Sequence, residues 1–199
     1  MTPSLRIGID FDNTIVSYDG VFHKAAVEKN LIPPETPPSK SAVRDYLRSI
    51  NNEDAWTELQ GYIYGARMDL AHPYPGVDRF FALCQTKKIR SFIISHKTLH
   101  PFLGPRYDLH QAANNWLAQQ DFACPAFFEL TLQDKLNRIR KQECTVFIDD
   151  LPELLAEKEF PSQVRKILFD PHRHYKKDGD YEYAVSWDEI LKLVDLHGS

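Results

Sequence analysis

The chain has 199 residues, 43% hydrophobic and 26% charged, with a formal net charge of −4; this suits one soluble globular domain with an insertion, or two small ones. The negative balance offers no basic face for nucleic acid, and no apolar stretch approaches the roughly 20 residues of a membrane helix. The opening MTPSLRIGID lacks a signal-peptide core, and the three scattered cysteines, Cys84, Cys124 and Cys144, read as reduced thiols of a cytoplasmic protein.

The first element is the apolar run LRIGID over 5–10, stopped by Asp-Phe-Asp-Asn, which predicts a buried strand followed by a turn. Residues 17–72 then depart from the rhythm of the rest. LIPPETPPSK (31–40) is a proline-rich turn; Val43, Tyr46, Leu47 and Ile50 mark one helix; Asn51 and Asn52 read as a break and an N-cap; Trp56, Leu59 and Ile63 mark another helix. This segment reads as a small helical insertion.

From PYPGVDRF onward, apolar runs alternate with helical stripes. Val77, Phe80, Phe81 and Cys84 repeat at helical spacing before the strand-like IRSFIIS, which ends at Ser95. Leu109, Ala112, Ala113, Trp116 and Leu117 form a second stripe, before PAFFEL. Leu132, Leu136 and Ile139 form a third, before CTVFID, which ends at Asp149; VRKILFD then ends at Asp170. The polar segment DPHRHYKKDGDYEY (170–183) reads as a surface loop, including the metal-like spacing of His172 and His174. Ser186 and Glu189 form a capping box for a last helix. Alternating strands and helices predict an α/β fold with a doubly wound parallel sheet of about five strands. The core would be 1–16 and 73–199, and the insertion 17–72. In such sheets ligands bind beyond the carboxyl ends of the strands, where Asp10, Ser95 and Asp149 all fall.

The sequence DFDNT, Asp10 to Thr14, resembles the first motif of the haloacid dehalogenase superfamily in its phosphatase form, Asp-x-Asp-x-Thr. FIISH, with Ser95, resembles the second motif; Lys135 in LTLQDKLNRI stands where the third-motif lysine is expected; FIDD, Phe147 to Asp150, resembles the fourth. The likeness covers about 5–16 and 73–170, and 17–72 resembles the helical caps such proteins carry between the first two motifs.

The resemblance implies a Mg²⁺-dependent phosphatase of a small phosphorylated metabolite. It implies Asp10 as nucleophile forming an aspartyl-phosphate, Asp12 as acid and base, and Ser95 and Lys135 holding the phosphoryl group. It further implies metal ligands from Asp10, the Asp12 main chain, and Asp149 or Asp150. Asn13, Thr14, Ser95, His96 and Lys97 are candidate substrate contacts; Thr14 would brace the loop by hydrogen bonding, and Lys97 competes with Lys135 for the phosphate-stabilising role. Elementary chemistry agrees: a carboxylate attacking a phosphoryl group meets charge repulsion, which a divalent cation removes. Asn at position 13, where glycine is frequent, tolerates left-handed backbone. Two other readings stay open: a phosphomutase or phosphotransferase of the same superfamily, and a catalytically silent phosphate-binding module. Asp12 argues against a dehalogenase, which lacks the second acid.

Overall fold

The computed structural model describes residues 4–196. In chain order the elements are β1 (Arg6–Ile9), β2 (Val16–Ser17), α1 (Val21–Glu28), α2 (Lys40–Ser49), α3 (Glu53–Ala66), β3 (His72–Pro73), α4 (Val77–Thr86) and β4 (Arg90–His96). They continue with α5 (Leu109–Leu117), β5 (Ala126–Glu129), α6 (Leu132–Lys141), β6 (Val146–Asp149), α7 (Pro152–Leu155), β7 (Arg165–Phe169), β8 (Glu182–Ala184) and α8 (Trp187–Leu193). The chain divides into two compact units, one of residues up to 16, 73–97 and 121 onward, the other of 17–72 and 98–120.

The first unit is built on a six-stranded sheet of order β5-β4-β1-β6-β7-β8. Every neighbouring pair is parallel. β1 lies in the middle, with Ile9 level with Ile93 of β4 and with Ile148 of β6. Strands covered on both faces carry continuous apolar sequence rather than alternation, and VFID of β6 is buried throughout. On one face Phe92, Ile94, Phe147 and Leu168 pack with Leu136 and Ile139 of α6 and Leu154 and Leu155 of α7. Gly8 is what lets β1 into this layer, because a Cβ there would stand 2.5 Å from the Phe147 ring. On the other, Phe80 of α4 and Phe169 of β7 meet Trp187 of α8, with ring centroids 5.0 and 5.9 Å away.

The sixth strand, β8, lies in the tail of the segment expected to be a loop. Glu182, Tyr183 and Ala184 pair with Ile167, Leu168 and Phe169. This is an edge strand of three residues, too short to register as a strand in sequence behind a polar loop. The capping box is displaced by one residue: Ser186 Oγ accepts from Glu189 N, but Glu189 Oε2 accepts from Val185 N.

The second unit is helical and larger than the expected 17–72, since 98–120 joins it. Phe22 of α1, Val43 and Leu47 of α2, and Trp56, Leu59 and Ile63 of α3 are buried. As expected, Asn52 caps α3 through its side chain, and Asn51 before it takes φ 55. The stripe on α5, read as a sheet-covering helix, packs against α3 instead. Trp116 Nε1 donates to the carbonyl of Ala71 at 3.0 Å. The segment entering α5 runs over two glycines of α3. A Cβ at Gly61 would stand 2.5 Å from Pro101 Cβ, and one at Gly65 would overlap Tyr107. Periodicity reports that a helix has an apolar face; it does not report what the face covers. Among the described residues, no helix is long and apolar enough to cross a membrane. All three cysteines are free.

Candidate active site

Asp10 is the first residue past β1, and its N–H still donates to the Ile148 carbonyl of the neighbouring strand at 2.9 Å. The chain then folds back sharply. The N–H groups of Ile15 and Val16 both donate to the Phe11 carbonyl at 3.0 Å, and Asn13 takes φ 56, the left-handed conformation expected of it. Ser95 is buried near the end of β4, and Asp149 closes β6. Strand direction thus brings the ends of β4, β1 and β6 to one sheet edge, as parallel topology requires.

Lys135 reaches this edge from the first turn of α6, whose N-cap Thr131 accepts from Asp134 N at 3.0 Å. Its Nζ donates to Asp10 Oδ1 at 2.5 Å and to Asp149 Oδ2 at 2.6 Å. Lys135 is 2% exposed and Asp149 is fully buried. Asp149 Oδ1 accepts from Leu151 N at 2.9 Å. A second buried ammonium serves the second acid of the loop: Lys97 donates to Asp12 Oδ2 at 2.7 Å. The two candidate lysines therefore occupy different posts, Lys135 between the first and last acids and Lys97 on Asp12.

The charges do not balance. With both ionised, Asp10 and Asp149 share one buried cation. Burial pushes the Asp10 carboxyl up to about 7; Lys135 opposes that rise and the Asp149 charge reinforces it. For Lys135, burial favours the neutral amine, but the two carboxylates together outweigh it and hold the group above its ordinary value. Such an excess of negative charge on hard oxygens fits a small divalent cation. Asp10 Oδ2 takes no hydrogen bond from the described residues. Among those residues no group of three or more His, Cys, Asp or Glu side chains is gathered for a metal. Two carboxylates and a main-chain carbonyl would leave the remaining positions to water, which Mg²⁺ tends to retain.

The other candidates fall as follows. Asp150 is half-buried just beyond β6. His96 is exposed, and its Nε2 donates to the Leu130 carbonyl at 3.2 Å. Thr14 is expected to brace the loop by hydrogen bonding; its hydroxyl is buried with no hydrogen-bond partner among the described residues. The bracing instead passes through the Thr14 carbonyl, which accepts from Trp187 Nε1 at 3.1 Å. A main-chain contact of this kind leaves no mark in a motif.

Asp170 was legible only as the end of an apolar run. It is buried, and accepts from His174 N at 3.0 Å, Tyr175 N at 2.9 Å and Tyr183 Oη at 2.8 Å. Burial raises its pKa, but these donors more than reverse the effect, leaving it below the usual carboxylate value. The signal that marked Asp10 and Asp149, an acid ending a buried strand, was present here too.

No family model matches the sequence, and no curated protein matches it. Solved structures do. A predicted phosphatase from Clostridium acetobutylicum matches with TM-score 0.59 and 13% identity over 97% of this chain and 99% of that one. A HAD-superfamily hydrolase from Ehrlichia chaffeensis matches with TM-score 0.54 and 12% identity over 98% of each chain. CbbY from Rhodobacter sphaeroides, solved with phosphate, matches with TM-score 0.55 and 16% identity over 97% of this chain and 100% of that one. Likeness at these identities is a likeness of fold.

Proposed function

We propose that this chain, which has the fold of the haloacid dehalogenase (HAD) superfamily hydrolases, is a Mg²⁺-dependent phosphatase that hydrolyses a small phosphorylated metabolite through an aspartyl-phosphate. The observation that carries the reading is the ammonium of Lys135 between two buried acids, at 2.5 Å from Asp10 and 2.6 Å from Asp149. A purely structural ion pair needs one acid per base. Here a second buried acid leaves a deficit of positive charge, which a metal and a phosphoryl group arriving together would resolve.

In this reading Asp10, Asp149 and the Asp12 main chain would hold Mg²⁺, with Asp150 adjacent. The bound ion supplies charge neutralisation that lets one anion approach another.

Asp10 attacks phosphorus through its oxygen away from Lys135. The Asp10–phosphorus bond forms as the bond to the leaving oxygen breaks, and Asp12 gives that oxygen a proton. Asp12 then takes a proton from water, which attacks the same phosphorus; the Asp10–phosphorus bond breaks and inorganic phosphate leaves. Lys135 holds the Asp10 carboxylate in place, and Lys97 fixes Asp12 through one of its oxygens. Ser95 is assigned to a phosphoryl oxygen. The helical unit is assigned to substrate selection and exclusion of water, the role of a cap. CbbY, solved with phosphate and with xylulose-(1,5)bisphosphate, supports a phosphorylated metabolite by analogy of fold.

The test is phosphate release from para-nitrophenyl phosphate and from a panel of sugar phosphates, nucleotides and phospho-acids. Release that requires Mg²⁺, stops with a chelator and is lost in Asp10→Asn is the expected result. Folded protein that releases phosphate from none of them overturns the reading.

A further inference from the structure

The surface loop after β7 carries a basic run, His172-Arg173-His174-Tyr175-Lys176-Lys177, that the proposed chemistry does not use. Its position is set by the sheet. β7 is parallel to β6, with Leu168 level with Asp149, so Asp170 and the loop emerge at the edge where Asp10 and Asp149 lie. The loop is anchored rather than trailing, because buried Asp170 accepts the main-chain N–H groups of both His174 and Tyr175. Tyr175 lies close enough to Asp150 and Glu153 for their charges to raise its phenol, after burial. The loop therefore folds toward the helix that follows the FIDD acids.

Other cations along this segment are committed. Arg165 binds Glu182 at 2.8 Å, Lys166 lies 3.7 Å from Asp180, and Lys177 stands 4.4 Å over the Tyr183 ring. Arg173 and Lys176 are exposed and form no ion pair among the described residues. Arg173 also takes φ 57, in a turn closed by its N–H to the Asp170 carbonyl at 3.1 Å. A bulky residue held in that conformation is uncommon.

We propose that Arg173 and Lys176 bind a second anionic group of the substrate, remote from the phosphoryl group that is cleaved. Two strand spacings, about 10 Å, separate β1 from β7, so the loop leaves the sheet at least that far to the side of the reacting phosphorus. That span fits a phosphorylated small molecule with a phosphate or carboxylate at its far end. The inference rests on the phosphatase reading for where the first phosphoryl group sits.

The test is calorimetric binding, so that it does not depend on turnover. The full chain carrying Asp10→Asn is titrated, with Mg²⁺, with fructose 1,6-bisphosphate and with fructose 6-phosphate as probes. The bisphosphate is expected to bind about fivefold or more tightly, an advantage of the size exposed ion pairs provide, and to lose that advantage as salt rises. Adding Arg173→Ala and Lys176→Ala should bring the ratio of the two affinities to near one; Arg173→Lys with Lys176→Arg should keep it. Equal binding of the two probes by the parent, or an advantage that survives the double alanine variant, overturns the proposal. Para-nitrophenyl phosphate turnover by the unmodified chain tests the phosphatase reading separately.

Discussion

Lys135 and Asp10 lie 125 residues apart in sequence, and their charged atoms stand 2.5 Å apart in a buried site. The same ammonium reaches Asp149, so one side chain from α6 ties together the ends of β1 and β6. Lys135→Met removes the charge that stands between two buried carboxylates and keeps an unbranched side chain one atom shorter. Breaking a buried pair by deleting one partner commonly costs about 3–5 kcal/mol. The variant is expected to melt well below wild type at pH 7 and to release no phosphate. The deficit should narrow at pH 5, where Asp10 takes up a proton and the repulsion falls. Thermal melts at the two pH values check this; equal deficits at both would mean that the two acids do not repel each other in the folded protein.

Asp10 itself should weaken the metal-free protein at neutral pH. Its carboxyl titrates near 7 in the folded state, against 3.8 for an ordinary aspartate. Between those values the folded chain keeps a proton that the unfolded chain has released. Stability therefore falls as pH rises through that window, by on the order of a few kcal/mol. Asp10→Asn cannot ionise and removes the slope. We expect this variant, without metal, to be more stable than wild type at pH 8 and to lose that advantage near pH 4. Turnover should fall about 10⁴-fold or more, as for loss of a nucleophile. A lower melting temperature than wild type at pH 8 would contradict the burial argument, whatever the activity.

Asp12 has a different post, on Lys97, and a different expected phenotype. Asp12→Asn keeps the main-chain carbonyl and the shape of the loop, but can neither protonate a leaving oxygen nor deprotonate water. With an aryl phosphate, whose leaving group needs little protonation, the first step should survive better than the second. Mass spectrometry of the quenched enzyme is expected to find phosphate on Asp10, with steady-state turnover lowered about 10²- to 10⁴-fold. An unmodified Asp10 together with a normal rate would remove Asp12 from acid–base work.

The sequence made much of this arrangement legible, for a physical reason. A carboxylate is costly inside a sheet, so an apolar run that ends in acid marks a place where something compensates it. That logic found Asp10 and Asp149 and gave the strands their ends. It left Lys135 and Lys97 as rivals, because nothing along the chain says which ammonium faces which acid; that depends on helix placement. It missed β8, a strand of only three residues at the end of a polar loop. It gave α5 to the sheet, because an apolar stripe fits any apolar partner. It expected Thr14 to brace the loop by hydrogen bonding without saying through which atom; the contact runs from Trp187 to the Thr14 main chain, 173 residues away in sequence.

The hydroxyl and the carbonyl of Thr14 give a discriminating pair of variants. The Thr14 hydroxyl is buried without a partner among the described residues. Replacing a buried, unsatisfied polar group by an apolar one of the same shape is neutral or stabilising, by up to about 1–3 kcal/mol. Thr14→Val should therefore melt at or above the wild-type temperature, with para-nitrophenyl phosphate turnover held within about threefold, a change of well under 1 kcal/mol in barrier. Trp187→Phe acts at the other end of the contact. It strands the Thr14 carbonyl and shrinks a side chain that is fully buried against Phe80 and Phe169. A cost of about 2–4 kcal/mol is expected from the lost hydrogen bond and the cavity together. Turnover should fall as well, because the loosened loop carries both Asp10 and Asp12. If Thr14→Val proves the more damaging of the two, the hydroxyl has a partner in solution and the loop is braced from its side chain after all.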